Sequence, residues 1–219
     1  SPTGRRGGGL ARVHPADLGA HVLAAIVERN GIDPLIVEDV VFGCVDTIGP
    51  QAGDIARSCW LVAGLPEHVP GTTVDRQCGS SQQAVVNSAQ AILLGDADFA
   101  LGGGVEVMSR GAYLMPTLRS GARMGDTQAI DAMVAVLTDP FGVGHMGITA
   151  ENLAAKHGIG REAQDAFAVE SQNRAAKAIA EGRFKSQIAP ITLKTRKGDV
   201  VFDTDEHPRA GTTMETLAK

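Results

Sequence analysis

A cysteine set between a β-branched run and an alanine-rich stretch is the residue of this chain best placed to do chemistry. Residues 71–85 read GTTVDRQCGSSQQAV, and the alanine-rich pattern continues to Leu94. A short strand therefore feeds a Cys78-Gly79-Ser80-Ser81 elbow, and a helix leaves it. At a helix start, unpaired backbone N–H groups and the positive end of the helix dipole favour thiolate over thiol. A thiolate there attacks a carbonyl carbon, and nearby N–H groups can hold the oxyanion that forms. The competing reading is a buried cysteine acting as a small hydrophobe. Gly79 and two serines are poor packing partners but suit a close-approach turn, which favours the nucleophile. Ser80 and Ser81 lack the G-x-S-x-G setting of a serine nucleophile and are expected to cap the helix.

Other candidates carry weaker signals. Gly102-Gly103-Gly104 lacks the spacing of a dinucleotide or Walker loop, so close packing against the nucleophile helix is the better account. Glu106 suits either a general base or a polar residue that closes a strand by bonding backbone. His145 lies in GVGHMG, where flanking glycines expose its ring and Met146 offers adaptable apolar contact; a loop histidine without a special role stands as the alternative. His14, His21, His68, His157 and His207 are scattered, with no metal-ligand spacing.

The elements that must position these groups alternate. The apolar pattern predicts a helix from Pro15, with Leu18, Val22, Ala25 and Ile26 inward, ended by Asn30-Gly31. Strands are expected over 37–45, 72–74 and 99–108, and a second helix over 55–63. The third helix, 79–94, offers Ala84, Val85, Ala89, Ile92 and Leu93 to the core. Alternation of this kind argues for a layered α/β domain over residues 1–109. Residues 110–148 read as a loop-rich excursion, which is usually functional or an inserted subdomain. Helices return at 149–156, with Thr149 as cap, and at 162–180, where Glu170 and Arg174 can pair at i,i+4. A β-rich stretch follows over 188–201.

Composition narrows the classes. Among 219 residues, 43% are hydrophobic, enough for a true core. Net charge is −5 with no basic block beyond Arg5-Arg6, which argues against a nucleic-acid partner. Three cysteines, Cys44, Cys59 and Cys78, are too few and too irregular for a disulfide framework or zinc site and fit a reducing compartment. No apolar run reaches the roughly 18 residues of a membrane span, and no signal peptide is visible, so a soluble cytoplasmic protein without membrane partners is expected. The opening on Ser1 and the stop at Lys219 suggest an internal piece of a longer protein.

Five segments together resemble the thiolases, the acetyl-CoA acetyltransferases and 3-ketoacyl-CoA thiolases: VDRQCGSSQQAV, LGGGVEVMS, GHMGITAENLA, REAQDAFAVESQNRAAKA and RKGDVVFDTDEHPR with TTMETLAK. The opening PTGRRGGGL is similar to the family's segment after its first strand, and the likeness runs in family order along the chain. It implies a layered α/β/α core domain (1–109) with an inserted, coenzyme A-binding loop domain (110–219), the C-terminal core half being absent from this chain. Cys78 matches the acylated nucleophile, its own N–H supplying half of an oxyanion hole. His145 and Met146 match residues lining the acyl and pantetheine pocket, and Leu137 an apolar contact to coenzyme A. Arg209 matches a basic residue near the adenine and phosphate end. Thr216 falls where the family has a serine at the nucleotide.

The implied activity is cleavage of a 3-ketoacyl-CoA by coenzyme A, or condensation of two acetyl-CoA molecules, through an acyl-cysteine. Coenzyme A is then a substrate, and no cofactor or metal is implied. Residues 121–133 resemble the segment through which relatives assemble, implying a homodimer or homotetramer in fatty-acid or related lipid metabolism. Two departures stand out. Ser81-Gln82-Gln83 replaces a common Gly-Leu after Cys-Gly-Ser, one turn from the nucleophile. The family's base histidine, acid cysteine and asparagine–histidine pair belong to the C-terminal half. A ketoacyl-synthase-type condensing enzyme and a non-catalytic acyl-CoA-binding half-thiolase are the alternatives.

Overall fold

In the computed structural model, which describes residues 1–218, Arg6–Val136 and Ser1 form one compact unit, and Pro2–Arg5 with the residues from Leu137 onward form a second. The boundary expected at 109/110 thus falls inside the first unit. One hydrogen bond crosses that boundary, Arg110 Nη1 donating to Arg12 O at 3.1 Å; beyond it, residues 110–136 hold together through Ala132 N donating to Ala112 O at 3.0 Å and the close approach of Gly111 to Met133.

The first unit is built around a parallel three-stranded sheet. Helix α1 (Pro15–Arg29) starts at His14, whose Nδ1 accepts the N–H of Ala16, with Pro15 pre-set for the first turn. Strand β1 (Asp39–Gly43), helix α2 (Ile55–Val62), strand β2 (Gly71–Val74), helix α3 (Ser80–Leu94) and strand β3 (Ala100–Gly104) follow. The sheet order is β2-β1-β3, all parallel, with Val40 opposite Gly71 on one side and Leu101 on the other. Two βα crossovers place α2 against β1 and β2 and α3 against all three strands. A short pair, β4 (Tyr113–Leu114) with β5 (Ile130–Asp131), and helix α4 (Ala132–Val136) complete the unit.

Side-chain alternation assigns the faces. Gly43 and Gly102 face α3, since a Cβ on Gly102 would lie 2.8 Å from Val85 Cα. Phe42 and Gly103 face the other side, where Phe42 also meets Gly19 of α1. The buried face of α1 centres on that glycine and runs through Ala16, Leu23 and Val27, leaving Ile26 exposed. Trp60 and Ile55 of α2 fill the space between, fully buried; the indole N–H donates to Pro66 O at 2.7 Å.

The expected core face of α3 needs correction. Of the five residues assigned to it, only Ala84 is buried; Val85, Ala89, Ile92 and Leu93 are exposed. The buried stripe is Ser80, Ala84 and Ser88, one turn apart. Glycines on β1 and β3 bring the helix backbone so close to the sheet that only small side chains fit between them, and the large apolar ones face outward.

In the second unit, α5 (Met146–His157) and α6 (Arg161–Ala180) bury no residue completely. Both N-termini fall earlier than the sequence suggested. Thr149 lies inside α5, whose cap is His145. A hairpin of β6 (Ile191–Thr195) and β7 (Gly198–Phe202) turns at Arg196-Lys197 and is bound by Thr195 Oγ1 donating to Gly198 O at 2.7 Å. The loop beyond it leads to a single turn, α7 (Met214–Leu217). The amino-terminal segment belongs here: Thr3 N donates to Asp205 Oδ1 at 2.6 Å, Arg5 N to Glu206 Oε2 at 2.8 Å, and Glu206 N to Thr3 O at 3.0 Å.

Candidate active site

The first unit gathers Cys44, Cys78 and Glu106 just past the carboxyl ends of β1, β2 and β3, the edge at which open α/β sheets bind ligands. Cys78 is exposed and adopts φ +63°, a left-handed conformation shared with only Asp54 among the described non-glycine residues. Such a conformation costs energy in a side-chain-bearing residue and persists only where surrounding structure imposes it. Here the constraint is a tight turn: Gly79 N donates to Arg76 O at 2.7 Å, Arg76 N donates to Ser80 Oγ at 3.1 Å, and Gln83 N starts the helix on Gly79 O at 2.9 Å.

Ser80 and Ser81 do not cap α3 as expected. Its N-cap is Gly79, with no side-chain cap bond. Ser80 turns back to Arg76, and Ser81 lies against Gly104. The uncapped first turn points peptide N–H groups toward the elbow that carries the thiol, an arrangement suited to a developing oxyanion. The helix start is fixed by close approach, because a Cβ on Gly43 would overlap the Ser80–Ser81 peptide, whose Ser80 O would be 2.6 Å away.

Behind the elbow sits a polar clasp that local sequence patterns do not reveal. Glu106 Oε2 accepts Val45 N at 2.8 Å, and its Oε1 accepts Gln51 Nε2 at 2.5 Å and the Cys44 thiol at 3.7 Å. Gln51 also donates to Asp46 O at 2.7 Å and accepts Val107 N at 2.6 Å. Glu106 therefore acts as the backbone-binding residue of the two readings its sequence context allowed. Burial, with Glu106 and then Asp131 nearby, raises the pKa of the Asp46 carboxyl, whose Oδ1 has no hydrogen-bond partner among the described residues.

Two of the three thiols are buried and one is exposed. Burial first, and Glu106 second, push Cys44 from 9.0 to about 12. Burial pushes Cys59 to about 12 as well; it packs against Gly19, with its Sγ 3.8 Å from Pro15 O. Both are buried structural thiols, which leaves Cys78 as the accessible sulfur.

The remaining expected site residues lie in the second unit, where the structure brings three of them together. Met146 N donates to Leu137 O at 2.8 Å, and Thr138 and His145 form an isolated antiparallel bridge. His145 Nδ1 accepts Gly147 N at 3.0 Å as the α5 cap, so a neutral ring carries its proton on Nε2. Arg209 and Thr216 occupy the loop between β7 and the end of α7, both exposed. The Thr216 hydroxyl is already engaged, accepting Thr213 N at 2.9 Å and donating to Thr213 O at 2.8 Å in a capping box. Among the described residues no cluster of three or more metal-ligating side chains occurs, and no helix is long and apolar enough to cross a membrane.

Comparison with known proteins fits this arrangement. The family model described as "Thiolase, N-terminal domain" matches residues 1–219. The chain is 48% identical over 216 residues to a β-ketothiolase, BktB, of Cupriavidus necator, covering 99% of this chain and 55% of that protein. It is 47% identical over 218 residues to an acetyl-CoA acetyltransferase of Thiocystis violacea, again 99% and 55%. The crystal structure of the Bacillus anthracis acetyl-CoA acetyltransferase superposes with TM-score 0.94 at 43% identity, covering all of this chain and 55% of that one. The chain thus spans about half the length of the relatives it matches. On this evidence the chain belongs to the thiolase family.

Proposed function

We propose that the protein carrying this chain is a thiolase that transfers acyl groups through Cys78. The Cys78 thiolate adds to the 3-keto carbon of a 3-ketoacyl-CoA, and the backbone N–H of Cys78 itself supplies half of the hole that holds the resulting oxyanion. As the carbonyl re-forms, the bond to the α-carbon breaks and its electron pair leaves on acetyl-CoA, which takes up a proton. The acyl group stays on sulfur until the thiol of incoming coenzyme A displaces it and restores Cys78. Sulfur suits both halves, since it attacks readily and leaves readily. Run backward, the same steps condense two acetyl-CoA molecules. Proton transfer is assigned to the family's C-terminal portion, which lies outside residues 1–219.

The observation that carries this reading is the exposed Cys78 at φ +63° on the uncapped start of α3. His145 and Met146 are assigned to the acyl and pantetheine part of the pocket, Leu137 to an apolar contact with coenzyme A, and Arg209 and Thr216 to the nucleotide end. The reading extends to a cytoplasmic homodimer or homotetramer acting in lipid metabolism, the assembly being supported by the likeness of residues 121–133 to an assembly element, of which 121–126 and 128–130 are exposed. Incubating the full-length protein with acetoacetyl-CoA should add one acetyl mass to the Cys78 peptide. Acetylation at Cys44 or Cys59 instead would reject the assignment.

A further inference from the structure

The loop carrying Arg209 and Thr216 is held at both ends by one face of α6. At its start, Arg209 N donates to Gln172 Oε1 at 2.7 Å. At its end, Arg161 Nη2 donates to Leu217 O at 2.6 Å. Arg161 is itself oriented by Asp165, whose two oxygens accept from Nε at 2.8 and 2.9 Å. Asp165 keeps only 14% of its side chain exposed, so the guanidinium works from a fixed base. On a helix with about 3.6 residues per turn, positions 161 and 172 lie roughly 20° apart in angle and about 16 Å apart along the axis. The two clamps therefore stand on one line of α6, three turns apart, with Asp165 beside the first.

Between the clamps the loop is braced internally. Arg209 O accepts both Thr212 N at 3.1 Å and Thr212 Oγ1 at 2.8 Å, and the Thr213–Thr216 capping box closes the α7 turn. Both backbone polar groups of Arg209 are thus committed, one of them to α6. This fixes the direction in which its long side chain leaves the chain.

We propose that Gln172 and Arg161 are positioning residues for coenzyme A. They act through the Arg209 loop and set affinity for the nucleotide end rather than the rate of acyl transfer. The proposal rests on the coenzyme A assignment of Arg209 made above. An unrestrained loop would have to be ordered when ligand binds, which weakens binding without touching the chemistry at Cys78.

The test uses the full-length protein with Gln172→Met, which keeps length but removes the acceptor, and Arg161→Met as an independent second variant. Each should raise KM for coenzyme A roughly three- to tenfold at unchanged kcat, the loss expected for one hydrogen bond. Thiolysis with pantetheine, which lacks the nucleotide, should change by less than about twofold, a split that general destabilisation would not produce. In an Arg209→Ala background, Gln172→Met should add less than about twofold. Unchanged KM in both variants, equal losses with coenzyme A and pantetheine, or full additivity with Arg209→Ala would overturn the positioning role. If Arg209→Ala itself leaves coenzyme A affinity unchanged in calorimetry, the coenzyme A assignment fails instead.

Discussion

Helices α3 and α6 each hold a group in place, by opposite means. Helix α3 lies against the sheet through Ser80, Ala84 and Ser88, and glycines on two strands meet its backbone directly. Its placement is steric, and the Cys78 elbow at its start inherits that rigidity. Helix α6 buries no residue and carries exposed i,i+4 ion pairs, Glu170 with Arg174 at 2.6 Å among them. It grips the Arg209 loop by side-chain hydrogen bonds. Steric placement tolerates no added atom and leaves the Cys78 turn little freedom to shift. Polar placement yields to substitution gradually and suits a contact that must admit and release a large ligand.

This contrast can be broken by two substitutions. The larger effect is expected from Gly43→Ala, whose Cβ would be driven into the Ser80–Ser81 peptide. Backbone cannot move aside as a side-chain tip can, so about 1–3 kcal/mol of stability should be lost in denaturant unfolding. Acyl transfer should fall as well, because the nucleophile elbow shifts. A fully active, equally stable variant would show that α3 is not sterically fixed. Arg209→Ala comes next: coenzyme A affinity should drop by about 1–2 kcal/mol, a typical loss for one exposed charged contact, with stability unchanged. A variant that unfolds more easily but binds normally would place Arg209 among structural residues.

The sequence made the nucleophile elbow legible because every local signal agreed there: β-branched strand, cysteine, glycine, then a helix former run. It failed on α3's inward face, since Val85, Ile92 and Leu93 look like core although all three are exposed, and the close approach of Gly102 to the Val85 backbone leaves room there only for small side chains. Likewise, Ser80 and Ser81 have the composition of caps, yet a turn bond to Arg76 and the packing of Gly104 claim them. The sequence singled out His145 as a loop residue, but its capping of α5 was not legible there. The Gln51–Glu106 clasp joins residues 55 positions apart, and Gln172 meets Arg209 across 37. Pairings of that range leave no trace in a periodic pattern.

Acyl transfer through Cys78 requires it to be the one reactive thiol, and alkylation of the folded full-length protein at neutral pH tests this most directly. Cys44 and Cys59, buried and pushed to about 12, stay protonated and shielded there. Peptide mass spectrometry should find iodoacetamide on Cys78 first, with preloading by acetoacetyl-CoA blocking the reaction. Label on Cys44 or Cys59 while Cys78 remains untouched would contradict the account.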